Sequence, residues 1–64
     1  MGPKSFQIKT RIQAACELLR GTSASVGELA LELGFSDQSS FTLHFRREMG
    51  MTPLKYRRRY RTAT

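Results

Sequence analysis

The chain has 64 residues and a formal net charge of +6, with 39% of its residues apolar and 25% charged. A domain this small lies near the lower limit for a hydrophobic core that holds without staples, and the single cysteine, Cys16, excludes an internal disulfide. That cysteine and the lone His44 form no ligand cluster for zinc, and the longest apolar run is far shorter than the roughly 20 residues that cross a bilayer.

The opening Met1-Gly2-Pro3 reads as a cloning remnant, and residues 1–5 are expected to be such a remnant or disordered. No secretory signal pattern is visible there, so a cytoplasmic protein with no membrane partner is the default expectation. From position 6 the apolar spacing becomes helical. Ile8, Ile12, Ala15 and Leu19 fall within about 60° of one another at 100° per residue, flanked by Cys16 and Leu18. Lys9, Gln13, Glu17 and Arg20 take the opposite side. The pattern predicts an amphipathic helix over about 6–20, stopped by Gly21.

Ser25 and Glu28 have capping-box spacing, in which each side chain satisfies an amide of the helix's first turn. A short helix is expected from Val26 to Leu33, with Val26, Leu29, Ala30 and Leu33 apolar. Gly27 lies inside it at about 1 kcal/mol relative to alanine, which points to close packing or a backbone approach at that position. Gly34 suits the left-handed residue after a helix. Phe35 then plugs the turn, and Ser36 is the expected N-cap of a third helix over Asp37 to about Met49, where Asp37 also suits the dipole. Phe41, Phe45 and Met49 share one face of that helix. Ser39, Thr42, Leu43 and Arg46 lie on the other, with Arg47 at its border. Gly50 ends it, and Thr52-Pro53 pairs an N-cap with proline at the first helical position, starting a last helix over about 53–60. Residues 62–64 should fray. The expected fold is all-α: a small bundle of about four helices spanning 6–61 and containing one helix-turn-helix over about 25–49.

Charge is unevenly spread along these elements. Residues 1–32 carry a net +1 and residues 33–64 a net +5, so the positive field gathers on the second half of the motif and the tail behind it. Such a field attracts polyanions. A basic chain whose third helix follows a short second helix across a tight turn has one leading reading, in which that third helix enters the major groove of double-stranded DNA.

The residues from Ile12 to Arg58 also resemble the AraC family of bacterial transcription regulators. The resemblance rests on Ala15 and Leu18-Leu19, Leu29-Ala30, Gly34-Phe35-Ser36-Asp37-Gln38-Ser39, Phe41, Phe45-Arg46, Gly50, Thr52-Pro53 and Tyr56-Arg57. Ser40, where an aromatic is frequent, and Gly27 depart from the pattern. Members of the family carry two helix-turn-helix motifs joined by a long helix, and this chain is similar to the second motif plus that connecting helix. The resemblance therefore implies a C-terminal fragment or an excised subdomain in which Ile8 and Ile12 lie bare, a stripe that would drive self-association.

A recognition helix shows its N-terminal residues and outer face to the base edges. Gln38 has the geometry for a bidentate pair with adenine, Ser39 and Thr42 suit bases or phosphates, and Leu43 would meet a thymine methyl. The family resemblance puts the same four positions at the groove. Ser36, Arg46, Arg47, Arg57, Arg58 and Arg59 are the expected phosphate contacts, and three to five of them would give a salt slope of about −3 to −5. Blander readings stand beside these: Leu43 as an ordinary exposed leucine, Gln38 as a solvent-facing or capping residue, and Arg57–Arg59 as a solvated helix face. Phe35, Phe41, Phe45 and Tyr56 read as core, Cys16 as a small apolar residue, and His44 as partly buried beside Phe41.

An enzyme is not expected. No nucleophile and base pair, paired carboxylates or glycine-rich phosphate loop can be assembled, and no cofactor is implied. The alternative function is a protein-interaction module that docks a transcription partner such as RNA polymerase, or self-associates through the connecting helix. Base-edge chemistry at Gln38 and Leu43 separates the two, since a pure interaction module has no use for it. A membrane-active peptide is disfavoured because the basic residues surround the last helix instead of opposing one apolar face.

Overall fold

Ile12, Ala15, Cys16 and Leu19 recur at helical spacing along α1 (Pro3–Gly21), and all four are buried. The computed structural model describes the backbone of residues 3–61 and the side chains of residues 7–61, so the expected fraying of 62–64 lies outside the described residues. Three shorter helices follow: α2 (Val26–Glu32), α3 (Gln38–Met49) and α4 (Pro53–Tyr60). The described residues thus form the expected all-α bundle, with α1 packed against each of the other three helices. α1 begins three residues before the predicted Phe6, taking in residues that the sequence reading left outside the fold.

Local chemistry explains the boundaries. At the start of α2, Ser25 Oγ accepts from the Glu28 amide at 3.1 Å and Glu28 Oε1 accepts from the Ser25 amide at 2.9 Å, completing the capping box. Leu33 caps α2 instead of belonging to it, and Gly34 takes a φ of +92° that no β-branched or bulky residue tolerates well. The turn then closes through the Phe35 amide, which donates to the Ala30 carbonyl at 2.9 Å. The N-cap of α3 is Asp37, not Ser36: the Asp37 carboxylate accepts from the Ser40 amide at 2.8 Å, so the helix starts one residue later than expected. Gly50 ends α3 at a φ of +81°, and Thr52 caps α4 through the Lys55 amide at 3.2 Å, with Pro53 at its first position.

Gly21 is the last helical residue of α1 and has no positive φ, so it does not stop the helix by a left-handed turn. The end of α1 is held by donors. Thr22 bonds the Leu18 carbonyl with both its amide (2.9 Å) and its hydroxyl (2.8 Å). Arg57, from α4, donates Nε to the Leu19 carbonyl at 3.0 Å and Nη2 to the Thr22 carbonyl at 3.1 Å. A cation at a helix C-terminus meets both the orphan carbonyls and the negative end of the dipole.

The core is a row of aromatic rings laid between these caps. Phe35 sits 5.2 Å from Phe41, Phe41 5.8 Å from Phe45 and Phe45 5.5 Å from Tyr56, the last two pairs edge to face. Leu29 and Ala30 close the α2 side. Burial pushes the Tyr56 phenol above its ordinary value, against the weaker opposing pull of Arg20. The neutral phenol accepts from Arg20 Nη1 at 2.6 Å.

Arg20, Ile8 with Ile12, and Met49 differ in exposure from what the sequence suggests. Arg20, placed on the solvent side of α1, reaches inward to Tyr56. Ile12 is 2% exposed and Ile8 half-buried against the core, so the bare stripe invoked for self-association is largely covered, because α1 has three helices to cover it. Met49 continues the Phe41–Phe45 stripe by spacing but is exposed, since the core ends with Phe45 and Tyr56.

Candidate nucleic-acid interface

The burial of Phe41 and Phe45 fixes how α3 is turned, and with it which side chains face outward. Gln38, Ser39, Thr42, Leu43 and Arg46 line one shallow depression of about 430 Å³ on the outer face of α3. These are the four base-reading candidates and Arg46, brought together from the first turn and outer face of the helix that follows the turn. Gln38, Ser39, Leu43 and Arg46 are exposed and Thr42 is half-buried. The depression offers a carboxamide, two hydroxyls, one branched apolar group and one guanidinium. That set can accept and donate at base edges, contact a methyl group and hold an anion at its margin.

Leu43 is 48% exposed, yet Leu31 at 66% and Leu54 at 54% are more so. Exposure alone therefore does not single Leu43 out. Its distinction is position, as the apolar group of an otherwise polar depression.

The basic candidates divide into three groups. Arg46 belongs to the depression and Arg47, also exposed, borders the same helix face. Arg58 and Arg59 line a second shallow depression, with Thr52, Leu54 and Lys55, formed by α4 and its N-cap. Arg57 is a correction: it is 9% exposed, and its guanidinium is spent on the Leu19 and Thr22 carbonyls, so it ties α4 to α1 and does not present itself to a phosphate. The spacing contained a signal for this. Pro53, Tyr56, Arg57 and Tyr60 fall within about 100° of one another on an ideal helix, so Arg57 shares the packed face while Arg58 and Arg59 lie off it. Ser36 is exposed in the turn beside the start of α3 and, with the capping role taken by Asp37, its hydroxyl is not committed to the helix.

Two further arginines brace the motif and escaped the sequence reading. Arg11 lies over the Phe35 ring, 5.9 Å from its centroid, and against Gly34, so α1 supports the turn directly. Arg61 Nη2 donates to Ser23 Oγ at 3.3 Å, adding a second tie between the end of α4 and the α1–α2 loop. His44 is half-buried with its ring 5.8 Å from that of Phe35, a packing role. Among the described residues no group of three or more His, Cys, Asp or Glu side chains could hold a metal, and no helix is long and apolar enough to cross a membrane.

Comparison with known proteins agrees with this architecture. A family model described as a helix-turn-helix domain matches residues 1–59. The HTH-type transcriptional activator RhaR of Enterobacter sp. (strain 638) is 45% identical over 53 residues, covering 83% of this chain and 19% of that protein. The HTH-type transcriptional regulator ExsA of Pseudomonas aeruginosa is 39% identical over 57 residues, covering 89% and 20%. The chain thus spans about a fifth of the length of these relatives. Among solved structures, the DNA-binding domain of AdpA, the global transcriptional factor, in complex with a target DNA, superposes with a TM-score of 0.89 at 35% identity, over 94% of this chain and 54% of that one. The chain belongs to the AraC/XylS-type helix-turn-helix family.

Proposed function

We infer that this chain binds double-stranded DNA in a sequence-specific manner, with α3 in the major groove, as half of the DNA-reading apparatus of a bacterial transcription regulator. The observation that carries this reading is the single depression formed by Gln38, Ser39, Thr42, Leu43 and Arg46 on the outer face of the second helix of a helix-turn-helix. Solution of the similar AdpA domain with a target DNA supports it. In this reading Gln38 pairs with an adenine edge, Leu43 contacts a thymine methyl, and Ser39 and Thr42 serve neighbouring bases or phosphates. Arg46 and Arg47 hold phosphates beside the groove, Arg58 and Arg59 hold phosphates from α4, and Ser36 adds a neutral contact at the turn. The reading carries a cytoplasmic location with it.

A titration of fluorescent duplex at several salt concentrations tests the electrostatic half of the reading. Four arginine–phosphate contacts give a slope of log affinity against log salt of about −3 to −4. A slope near zero contradicts it. Leu43→Arg tests the base-reading half: preference should change at one base pair while the cooperative melt is kept, because the position is exposed. A variant with unaltered preference removes Leu43 from the groove.

Docking of a transcription partner, a polymerase subunit for example, has one observation on its side: Leu31 and Leu54 are exposed outside the recognition surface. A chain with no affinity for duplex at low salt would favour that reading over DNA binding.

A further inference from the structure

Gly27 is a costly residue to keep. It lies in the first turn of a seven-residue helix, where alanine would serve the backbone better. A Cβ built on it would lie 3.2 Å from Oε1 of Gln38, the first residue of α3, and 4.0 Å from Ser25 Oγ. The missing side chain is therefore the space in which the Gln38 carboxamide rests.

We propose that Gly27 is a positioning residue for sequence recognition: the bare α2 backbone at Gly27 seats the Gln38 carboxamide at the angle from which it reads its base pair. The proposal rests on the reading of Gln38 as a base contact. Gln38 is exposed, and its side chain has three rotatable bonds, so little else restrains it before DNA arrives. Resting on α2 removes part of that freedom in advance, and a bidentate pair with a base edge rewards such preorganisation because both hydrogen bonds must align together. Gly27 is thus a feature of specificity, located on a helix that lines none of the recognition depression.

The consequences of Gly27→Ala differ from those of an ordinary packing mutation. The atom in its way is the far end of a flexible, exposed side chain, so the carboxamide yields and α2 stays in place. Thermal stability holds or rises, since alanine favours the helix. Preference for the Gln38 base pair falls roughly three- to tenfold, a part of the discrimination one bidentate contact supplies.

The test is a double-mutant cycle on the full chain, with wild type, Gly27→Ala, Gln38→Ala and the double variant. Each is melted and titrated with a preferred duplex and its variants at every base pair of the site. The proposal expects Gly27→Ala to lose preference only at the base pair where Gln38→Ala loses it, with no further loss in the double variant. It is overturned if Gly27→Ala keeps full preference, or if its loss is the same with and without Gln38, which would mark a backbone contact at α2. If Gln38→Ala itself leaves preference intact at every position, the base-reading role of Gln38 falls first and the proposal falls with it.

Discussion

Replacing Phe45 with alanine is expected to cost roughly 3–5 kcal/mol, the range for truncation of a core phenylalanine. Phe45 is fully buried and stands between Phe41 and Tyr56 in the row of rings, edge to face with both. Its loss opens a cavity where α3 and α4 meet, and removes two ring contacts as well as the buried area. A domain of this length has a total stability of about 3–10 kcal/mol, so the variant loses a large part or all of it and no longer melts near the wild type. Circular dichroism on heating and in urea measures it directly. A cooperative melt close to wild type would show that the aromatic row does not carry the fold.

Arg57→Ala ranks next. It leaves the Leu19 carbonyl, where the bond is buried, without that donor and removes the part-buried bond to Thr22; an unsatisfied buried polar group costs about 1–3 kcal/mol, and loss of the packed arginine stem adds to it. The expected loss is roughly 2–4 kcal/mol, a fall in melting temperature of more than about 10 °C for so small a domain. Arg57→Lys should recover little, because an ammonium cannot span two carbonyls as the guanidinium fork does. Arg58→Ala is the natural comparison. It should leave the melt unchanged and make the salt slope shallower by about 0.9, the share of one phosphate contact. The opposite pattern, with Arg57→Ala stable and its salt slope reduced, would return Arg57 to the DNA surface and remove it from the α1–α4 tie.

The contrast between neighbouring arginines shows where the sequence is readable and where it is not. The capping box at Ser25 and Glu28, the left-handed glycines Gly34 and Gly50, and the Thr52-Pro53 start were all legible, because each is decided within a few residues of backbone. The four helices and the outer face of α3 followed from periodicity, since Phe41 and Phe45 leave few ways to turn that helix. The choice between Ser36 and Asp37 as N-cap was not legible. Both residue types cap well, and sequence alone does not say which side chain meets the first free amide; in the structure Asp37 meets that of Ser40. Arg57 and Arg20 were misplaced for a related reason. Their partners, Leu19, Thr22 and Tyr56, are 35 to 38 positions away along the chain, and a guanidinium looks solvent-seeking until a tertiary acceptor is known. The covering of Ile12 likewise depends on how three helices close over α1. Of the candidate site, the grouping of Gln38, Ser39, Thr42, Leu43 and Arg46 on one outer face of α3 was legible. The contact between Gly27 and Gln38 was only half so: the glycine was noticeable, but its neighbour was not.

Whether the outer face of α3 reads base pairs is open to a direct experiment. Selection from a randomised duplex pool at low and moderate salt, with sequencing of the bound fraction, tests it most directly. The expected result is enrichment of one short site of roughly 4–6 base pairs, the reach of a single helix's few base-reading side chains, with the enriched bases altered in Leu43→Arg. Retention of duplex with no enriched site at either salt concentration, or an enriched site that Leu43→Arg leaves unchanged, would contradict it.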